Sequence, residues 1–467
     1  MPVTVPTEPL KFGQPGRLAA VTALGLAGTN AHLLLSSWEG PSPKDRPGEK
    51  DVLLKDASGG EGSTPGTDPS KPVKFGEKSE TGQEIRANVR PQVLFVNALS
   101  RPALIELLNR YHRMLGSLDT GRLKDVAHFS GTARRHYPLR CGIVFRDSEQ
   151  AKHQIQARLK SLAQETGPSS DEPLPAASIT SSMHWLFERD FLLTGEQLNS
   201  LKTLSDLASQ RMGELENVYR EQKGQSLTDL FQENSPLSAP SRHFIGQAAQ
   251  AALWQDWGLE PDQVAGQSFG QFAAGCVAGV VSWEDALSMI AYWQSCQEQT
   301  NALDLFEKYA DQFNFYPPEI NLTCPLAGEP IPVHRVPGGS YWRELLEAEL
   351  KGQPSSEKLE APGDAPDPDE AMTLRFASNP ASPGTAQLGN CQDSLPSGED
   401  LTIHLLKMAA EMYEKGYPLN VGTINGAGPF RPLRLPLYPF DRKRYWITEV
   451  SEHLTHHPDQ TQALEKK

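Results

Sequence analysis

Residues 264–271, VAGQSFGQ, contain the pattern Gly-x-Ser-x-Gly, which is typical of a turn that exposes a nucleophilic serine. Such a turn needs a strand leading in and a helix leading out, and the neighbouring text supplies DQVAG before it and QFAAGCVAGVV after it. Gly266 and Gly270 would keep Cβ atoms out of the crowded turn, and the backbone N–H of Phe269 is the expected oxyanion donor. The pattern predicts an α/β fold with Ser268 as nucleophile; the alternative is a glycine-rich helix start without chemistry.

The composition limits what else the chain can be. Its 467 residues carry a net charge of -14 and are only 38% hydrophobic, with 38 Gly and 38 Pro. This acidity argues against nucleic acid or an anionic membrane as a partner. The start of the sequence lacks a leader pattern and no window is apolar enough to cross a membrane, so we expect a soluble cytoplasmic protein. Scattered cysteines predict no metal site and no disulfide framework; they are Cys141, Cys276, Cys296, Cys324 and Cys391.

Composition also divides the chain into globular and solvated parts. Two stretches rich in Pro, Gly, Ser and charge read as disordered, because they cannot bury enough apolar surface to offset chain entropy. Residues 201–222 read as one amphipathic helix, and DLTIHLLKMAAEMYEKG as another. The predicted segments are a short apolar piece at 1–40, a disordered linker at 41–90, a small α/β domain at 91–165, an α/β block at 183–347, a disordered linker at 351–400, a helix and extended arm at 401–447, and a tail at 448–467.

Several of these segments carry a family resemblance. AALWQDWGLEPDQVAGQSFGQFAAGCVAGVVSWEDALSMIAYWQ resembles the serine-containing core of acyltransferase domains in type I polyketide and fatty acid synthases. LAAVTALGLAGTNAHLLLSS resembles the end of a ketosynthase domain, with His32 in its Gly-Thr-Asn-Ala-His motif. VLFVNALSRPALIELLNRY resembles the ketosynthase–acyltransferase linker, PPEINLTCPLAGEPI with SYWREL the last part of an acyltransferase, and LRLPLYPFDRKRYWI the post-acyltransferase arm. The resemblance implies a truncated acyltransferase with an α/β-hydrolase-like core, a small α/β linker domain and long disordered segments.

The resemblance also implies a reaction. In this family the elbow serine takes an acyl group from acyl-CoA and passes it to the phosphopantetheine thiol of an acyl carrier protein, without a bound cofactor or metal. The expected partners are therefore acyl-CoA and a carrier protein or other polyketide synthase subunits. The family's catalytic histidine motif is missing between Trp293 and INLTCPL, and nothing in the sequence brings His243, His334 or His404 to Ser268. A non-catalytic docking protein and a remnant of a larger synthase therefore stay open beside acyl transfer.

Three further departures from the family concern the substrate and the oxyanion hole. Gln267 stands where the family usually has a histidine before the nucleophile. Trp293 stands where members that select malonyl groups carry an arginine, which predicts a neutral acyl group if the indole lines the pocket, or a core aromatic if it does not. LLTGEQ, with Gln197, is the nearest text to the family's glycine-glutamine oxyanion signature. His32 is expected to be a structural remnant of a strand and turn, because no ketosynthase cysteine motif accompanies it.

Overall fold

The computed structural model describes residues 18–24, 30–36, 90–164, 182–232, 239–352, 371–377, 391–395 and 400–440. Residues 1–78 and 79–467 form two compact units. In the first unit, strands β1 (Leu18–Leu24) and β2 (Asn30–Ser36) pair antiparallel, with His32 opposite Thr22. The predicted disordered linker at 41–90, apart from residue 90, and the tail at 448–467 lie outside the described residues.

The second unit opens with a small α/β subunit. Strands β3 (Gln92–Ala98) and β4 (Leu139–Phe145) pair antiparallel. Three helices surround them, of which the first carries its apolar side chains at helical spacing and is capped by Ser100. The helices are α1 (Arg101–Gly116), α2 (Leu123–Thr132) and α3 (Ser148–Gln164). This small subunit encloses its own apolar core.

A larger subunit is built on a parallel sheet of five strands in the order β7-β6-β5-β8-β9. All its described pairings are parallel, and both the strands and the covering helices bury apolar side chains in one large cluster. The strands are β5 (Ser182–Phe187), β6 (Gln263–Gly266), β7 (Asn321–Thr323), β8 (Ala371–Phe376) and β9 (Cys391–Asp393). The carboxyl ends of these strands therefore meet at one edge of the sheet, which is where the serine turn lies.

The helices of the larger subunit follow in chain order. They are α4 (Gly195–Leu204), α5 (Asp206–Lys223), α6 (Leu227–Gln232), α7 (Ala239–Asp256), α8 (Gly270–Val277), α9 (Trp283–Cys296), α10 (Ala302–Ala310), α11 (Gly339–Leu350), α12 (Leu401–Lys415) and α13 (Val421–Ile424). The single helix expected over 201–222 is divided between α4 and α5, because the Ser205 side chain accepts from the Ala208 N–H and starts a new helix.

Two sequence predictions are wrong in this part of the chain. Residues 351–400, expected to be a disordered linker, contribute β8 and β9 to the sheet, and β8 lies beside the central strand β5. The α/β block therefore extends beyond its expected end at 347. The six-residue strand AMTLRF, which includes Thr373 and Arg375, stands among Pro, Ser and acidic residues. Its stability comes from parallel pairing with a distant strand rather than from local pattern.

The end of the described chain covers the small subunit. Helix α12 packs on β4, where Gly142 lies so close that an added Cβ would be 2.5 Å from that of Ala410. Residues 426–440, called the arm below, then run without helix or strand along α1 and α2. His128 of α2 stacks on Phe430 of the arm with ring centroids 3.7 Å apart.

Candidate active site

The serine turn lies between β6 and α8. Strand β6 ends at Gly266 and α8 begins at Gly270, so three residues make the connection. Ser268 has a φ of 53° and is the only residue other than glycine with a positive φ in the part of the chain that the structure describes. A residue in this conformation carries about 1–3 kcal/mol of strain, which persists only where the surroundings impose it. Strand, strained serine and helix together form a nucleophile elbow.

The two glycines of the pattern are required by close contacts. A Cβ on Gly266 would lie 2.3 Å from the backbone of Gly270 and from the Gln271 nitrogen. A Cβ on Gly270 would lie 2.3 Å from the Phe187 carbonyl oxygen at the end of β5. The Gln267 N–H donates to the same Phe187 oxygen at 2.8 Å. The elbow is therefore pressed against the end of the neighbouring strand, and side chains at either glycine would push it away.

Gln271, in the first turn of α8, is fully buried and binds three separate parts of the chain. Its Oε1 accepts from the Gly266 N–H at 2.8 Å, while its Nε2 donates to the Thr323 carbonyl at 3.0 Å and to the Tyr341 hydroxyl at 2.8 Å. Burial raises the pKa of Tyr341 well above its ordinary value, and the nearby Cys324 thiol adds to this. The sequence analysis missed this residue, although a polar side chain directly after the second glycine was visible in it.

The Ser268 hydroxyl has no base beside it. The residue is 8% exposed, and its buried Oγ has no hydrogen-bond partner among the described residues. Of the three histidines considered from the sequence, His404 binds the backbone carbonyl of Asp393 at 2.8 Å and His334 lies in an exposed loop after β7. His243 binds a backbone carbonyl just beyond β5. The geometry thus presents a buried, unpaired hydroxyl at the carboxyl edge of the sheet.

The oxyanion side of the site depends on backbone groups. Phe269 caps α8 directly after the nucleophile, so its N–H belongs to the first turn, where the helix dipole favours negative charge. Gln197 takes no part in such a site. Its side chain accepts from the Thr194 N–H at 2.8 Å, and its own N–H donates to the Thr194 hydroxyl, which is a capping box at the start of α4.

A buried ion cluster lies beside the elbow on the same edge of the sheet. The Arg375 guanidinium of β8 donates to Glu188, directly after β5, at 3.1 Å and to Asp393 of β9 at 2.5 Å. The side chains of Arg375 and Glu188 are 3% and 5% exposed. Sequence reasoning did not find this cluster, because its three members come from segments far apart in the chain.

Trp293 does not join the elbow through any described contact. Trp293 of α9 is 3% exposed and packs edge-on against Phe306 of α10, with ring centroids 5.9 Å apart. His32 lies on β2 of the hairpin unit. Whether Trp293 influences the substrate stays a prediction.

The described residues contain no group of three or more His, Cys, Asp or Glu that could hold a metal ion. No helix in the described ranges is long and apolar enough to span a membrane.

Models of known protein families match part of the larger subunit and most of the small subunit. Residues 198–303 match the acyl transferase domain model, and residues 92–155 match the model of a CurL-like polyketide synthase C-terminal region. The first match contains the elbow, and the second covers most of the small α/β subunit.

Curated relatives are multidomain synthases. The PKS-NRPS hybrid synthetase acdB of Aspergillus candidus is 26% identical over 296 residues, which are 62% of this chain and 10% of that protein. The spectinabilin polyketide synthase system protein NorC of Streptomyces orinoci is 24% identical over 448 residues, or 93% of this chain and 17% of that protein. The chain thus spans at most about a sixth of the length of these two relatives.

Solved structures show the same fold. The acyl transferase domain of ZmaA superposes with a TM-score of 0.57 at 13% identity, covering 74% of this chain and 99% of that domain. The acyltransferase domain from module 8 of the salinomycin polyketide synthase gives a TM-score of 0.52 at 16% identity, covering 71% and 98%.

The α/β fold is therefore that of polyketide synthase acyltransferase domains, as predicted from the sequence. The chain carries an acyltransferase region of the type I polyketide synthase kind, and the resemblance drawn from the sequence is confirmed.

Proposed function

We propose that this protein transfers an acyl group from an acyl-CoA to the phosphopantetheine thiol of an acyl carrier protein through an ester on Ser268. The observation that carries the proposal is the strained elbow, with a φ of 53° at a buried serine whose Oγ has no partner. Backbone strain and an unpaired buried hydroxyl both reduce stability. Their presence together beside a helix N-terminus therefore supports a functional role rather than a stabilising one.

The elbow supports both halves of such a reaction. Ser268 Oγ would form a bond to the thioester carbonyl carbon, while the Phe269 N–H at the start of α8 stabilises the oxyanion. Departure of the CoA thiolate leaves the acyl ester, and attack by the carrier thiol reverses the sequence. Gln271 keeps the turn in place by its three hydrogen bonds, so the oxyanion donor is already positioned before substrate binds.

The acyl group is expected to be neutral. Arg375, a buried cation at this edge of the sheet, already binds Glu188 and Asp393, and using it for a substrate carboxylate would break a buried ion pair. The position of Trp293, where malonyl-selecting relatives carry arginine, agrees with this expectation. Acetyl-CoA and longer unbranched acyl-CoA substrates should therefore be preferred over malonyl-CoA.

Intact-protein mass spectrometry tests the proposal. The purified chain is incubated with acetyl-CoA, malonyl-CoA and two longer acyl-CoA substrates, and compared with Ser268→Ala and with Ser200→Ala, a serine on the surface of α4. An acyl adduct is expected on the wild type and on Ser200→Ala, and none on Ser268→Ala. Transfer that survives Ser268→Ala would remove the elbow from the mechanism.

A docking role is the second candidate, and the arm is the observation that favours it. The Arg431 N–H donates to Asp125 Oδ1 at 3.0 Å, Arg122 donates back to the Arg431 carbonyl at 3.1 Å, and the Leu99 N–H donates to the Tyr438 hydroxyl at 2.9 Å. These bonds fasten the arm to the small subunit without involving the elbow. A carrier protein that raises the melting temperature of the chain without accepting an acyl group would favour docking, whereas a non-cooperative melt would favour a remnant.

A further inference from the structure

The N-terminal half of α7 is fixed to the segment that follows β5. His243 Nδ1 lies 2.9 Å from the Arg189 carbonyl oxygen, and Gln247, one turn further on, donates its Nε2 to the Glu188 carbonyl at 2.7 Å. These two bonds hold one face of the helix against consecutive residues of the chain. The imidazole is thereby attached to a defined backbone position beyond the end of the central strand.

The same segment supports the elbow. The Phe187 carbonyl accepts from the Gln267 N–H at 2.8 Å, and Gly270 packs directly on the backbones of Phe187 and Glu188. Arg189 follows Phe187 by two residues, which in extended chain is about 7 Å. His243 and the nucleophile are therefore anchored to neighbouring points of one short backbone stretch.

The contact with Arg189 decides which nitrogen of the ring carries the proton. A carbonyl oxygen can only accept, so Nδ1 must be the donor in the neutral ring and Nε2 keeps its lone pair. No described residue binds Nε2. This is the tautomer that a general base needs, with the orienting bond on one nitrogen and the accepting lone pair on the other.

The surroundings keep the ring neutral. Burial lowers the pKa of His243 below its ordinary value; the Arg189 carbonyl bond and the charge of Asp190 oppose this, and neighbouring Arg242 adds to it. A neutral imidazole is available at pH 7, where a base must be unprotonated. The carboxylate of Glu188, which precedes Arg189 in the chain, is bound to Arg375.

We propose that His243 is the general base of this protein and replaces the histidine that the family provides from a motif missing here. The inference rests on the proposed function of Ser268. During acylation, the Oγ–H proton passes to His243 Nε2 as Oγ bonds to the thioester carbon, and the C–S bond then breaks with return of that proton to the CoA sulfur. During transfer, the carrier thiol gives its proton to Nε2 as its sulfur bonds to the ester carbonyl carbon, and the proton passes to Ser268 Oγ as the ester C–O bond breaks.

The hydroxyl and the imidazole are not in contact without substrate, since Ser268 Oγ has no partner. Catalytic hydrogen bonds of this kind often form only in the substrate complex. Rotation about the serine χ1, together with entry of the thioester, is the motion that the proposal requires.

The test is the rate of acyl-serine formation in the full-length chain, with acetyl-CoA and the preferred longer acyl-CoA as probes. His243→Gln keeps an amide that can donate to Arg189 but has no base, and should lower the rate by about 10²–10⁴-fold. His334→Gln is the matched control, because that histidine lies in an exposed loop, and should leave the rate unchanged. In His243→Ala, added imidazole should restore the rate in proportion to its concentration, an effect that a structural role would not produce.

The outcomes separate the two proposals. A wild type that acylates Ser268 and a His243→Gln variant that does so equally fast would overturn the assignment of the base and leave the proposed function standing. A folded wild type that forms no adduct with any thioester would overturn both. Loss in His243→Gln that imidazole restores in His243→Ala supports the base, even if the glutamine variant is less stable.

Discussion

Replacing Gly270 by alanine tests the physical basis of the elbow. The added Cβ would lie 2.3 Å from the Phe187 carbonyl oxygen, whereas side-chain carbons in proteins essentially never approach closer than 3.0 Å. The obstacle is backbone at the end of the central strand β5, so it cannot rotate away as a side chain could. The turn must therefore move away from β5, and the hydrogen bond from the Gln267 N–H to the Phe187 carbonyl oxygen must lengthen.

The loss of stability expected for Gly270→Ala follows from these contacts. Forcing an additional methyl into packed structure costs about 1–3 kcal/mol. For a domain of 150–250 residues each kcal/mol lowers the melting temperature by about 2–4 °C, so a loss of roughly 2–12 °C is expected. A displacement of about 1 Å can lower a reaction rate by about 10²-fold. The rate of Ser268 acylation in Gly270→Ala should therefore fall by about this factor, even where the melting temperature changes little.

Gly213 provides the matched control. It lies exposed in the interior of α5, and a Cβ there would meet nothing within 4 Å. Gly213→Ala should therefore raise stability by about 0.5–1 kcal/mol, the usual gain from replacing glycine in a helix. Differential scanning fluorimetry and the rate of adduct formation compare the two variants. A Gly270→Ala protein with wild-type melting temperature and wild-type rate would refute the close packing of the elbow on β5.

Two further predictions concern electrostatics. Glu188→Gln leaves Arg375 buried with Asp393 as its charged partner, and should lower the free energy of unfolding by about 3 kcal/mol in urea titrations; a loss below about 1 kcal/mol would show that Asp393 satisfies the guanidinium. Burial lowers the pKa of His128 from 6.5, so the folded state binds protons less readily than the unfolded state, and stability should fall as the pH drops below 6.5. His128→Phe, which retains the stack on Phe430, should melt with a weaker pH dependence; an unchanged dependence would assign it to other groups.

The elbow could be predicted from the sequence because its determinants are local. A short strand, two glycines and a helix occupy 15 consecutive positions from Gln263 to Val277, and the contacts that require Gly266 involve residues at most five positions away. The strain at Ser268 then follows from the turn. Local pattern, turn chemistry and tertiary structure agree here, which is the condition under which sequence reasoning works.

The surroundings of the elbow could not be predicted in the same way. Gln271 and Tyr341 are 70 residues apart in the chain, and Glu188 and Arg375 are 187 apart. Strands β8 and β9 stand in a region of Pro, Gly, Ser and acid, and only pairing with β5 makes β8 a buried strand. Gln197 is the opposite case, since Thr194-x-x-Gln197 is a local capping signature, although its sequence is the nearest in this chain to the family's oxyanion signature.

The connection after α9 shows how the apolar face of that helix stays covered although the family's histidine motif is missing. Tyr292 and Trp293 of α9 pack on Tyr309 and Phe306 of α10, with ring centroids 4.0 and 5.9 Å apart, and Phe306 is fully buried. The chain then returns to the elbow helix, where the Glu319 N–H donates to a backbone carbonyl directly after α8.

If the segment after α9 were simply absent, the apolar face of α9 would be exposed to water, which costs about 25 cal/mol for each Å² exposed. Instead Trp293 is 3% exposed and Phe306 is 0% exposed, so the short α10 covers the surface. A packed replacement fills the space but contributes no histidine, because ALDLFEKYA contains none. The base proposed for Ser268 therefore comes from another side of the elbow, where α7 is bound through His243 to the segment that follows β5.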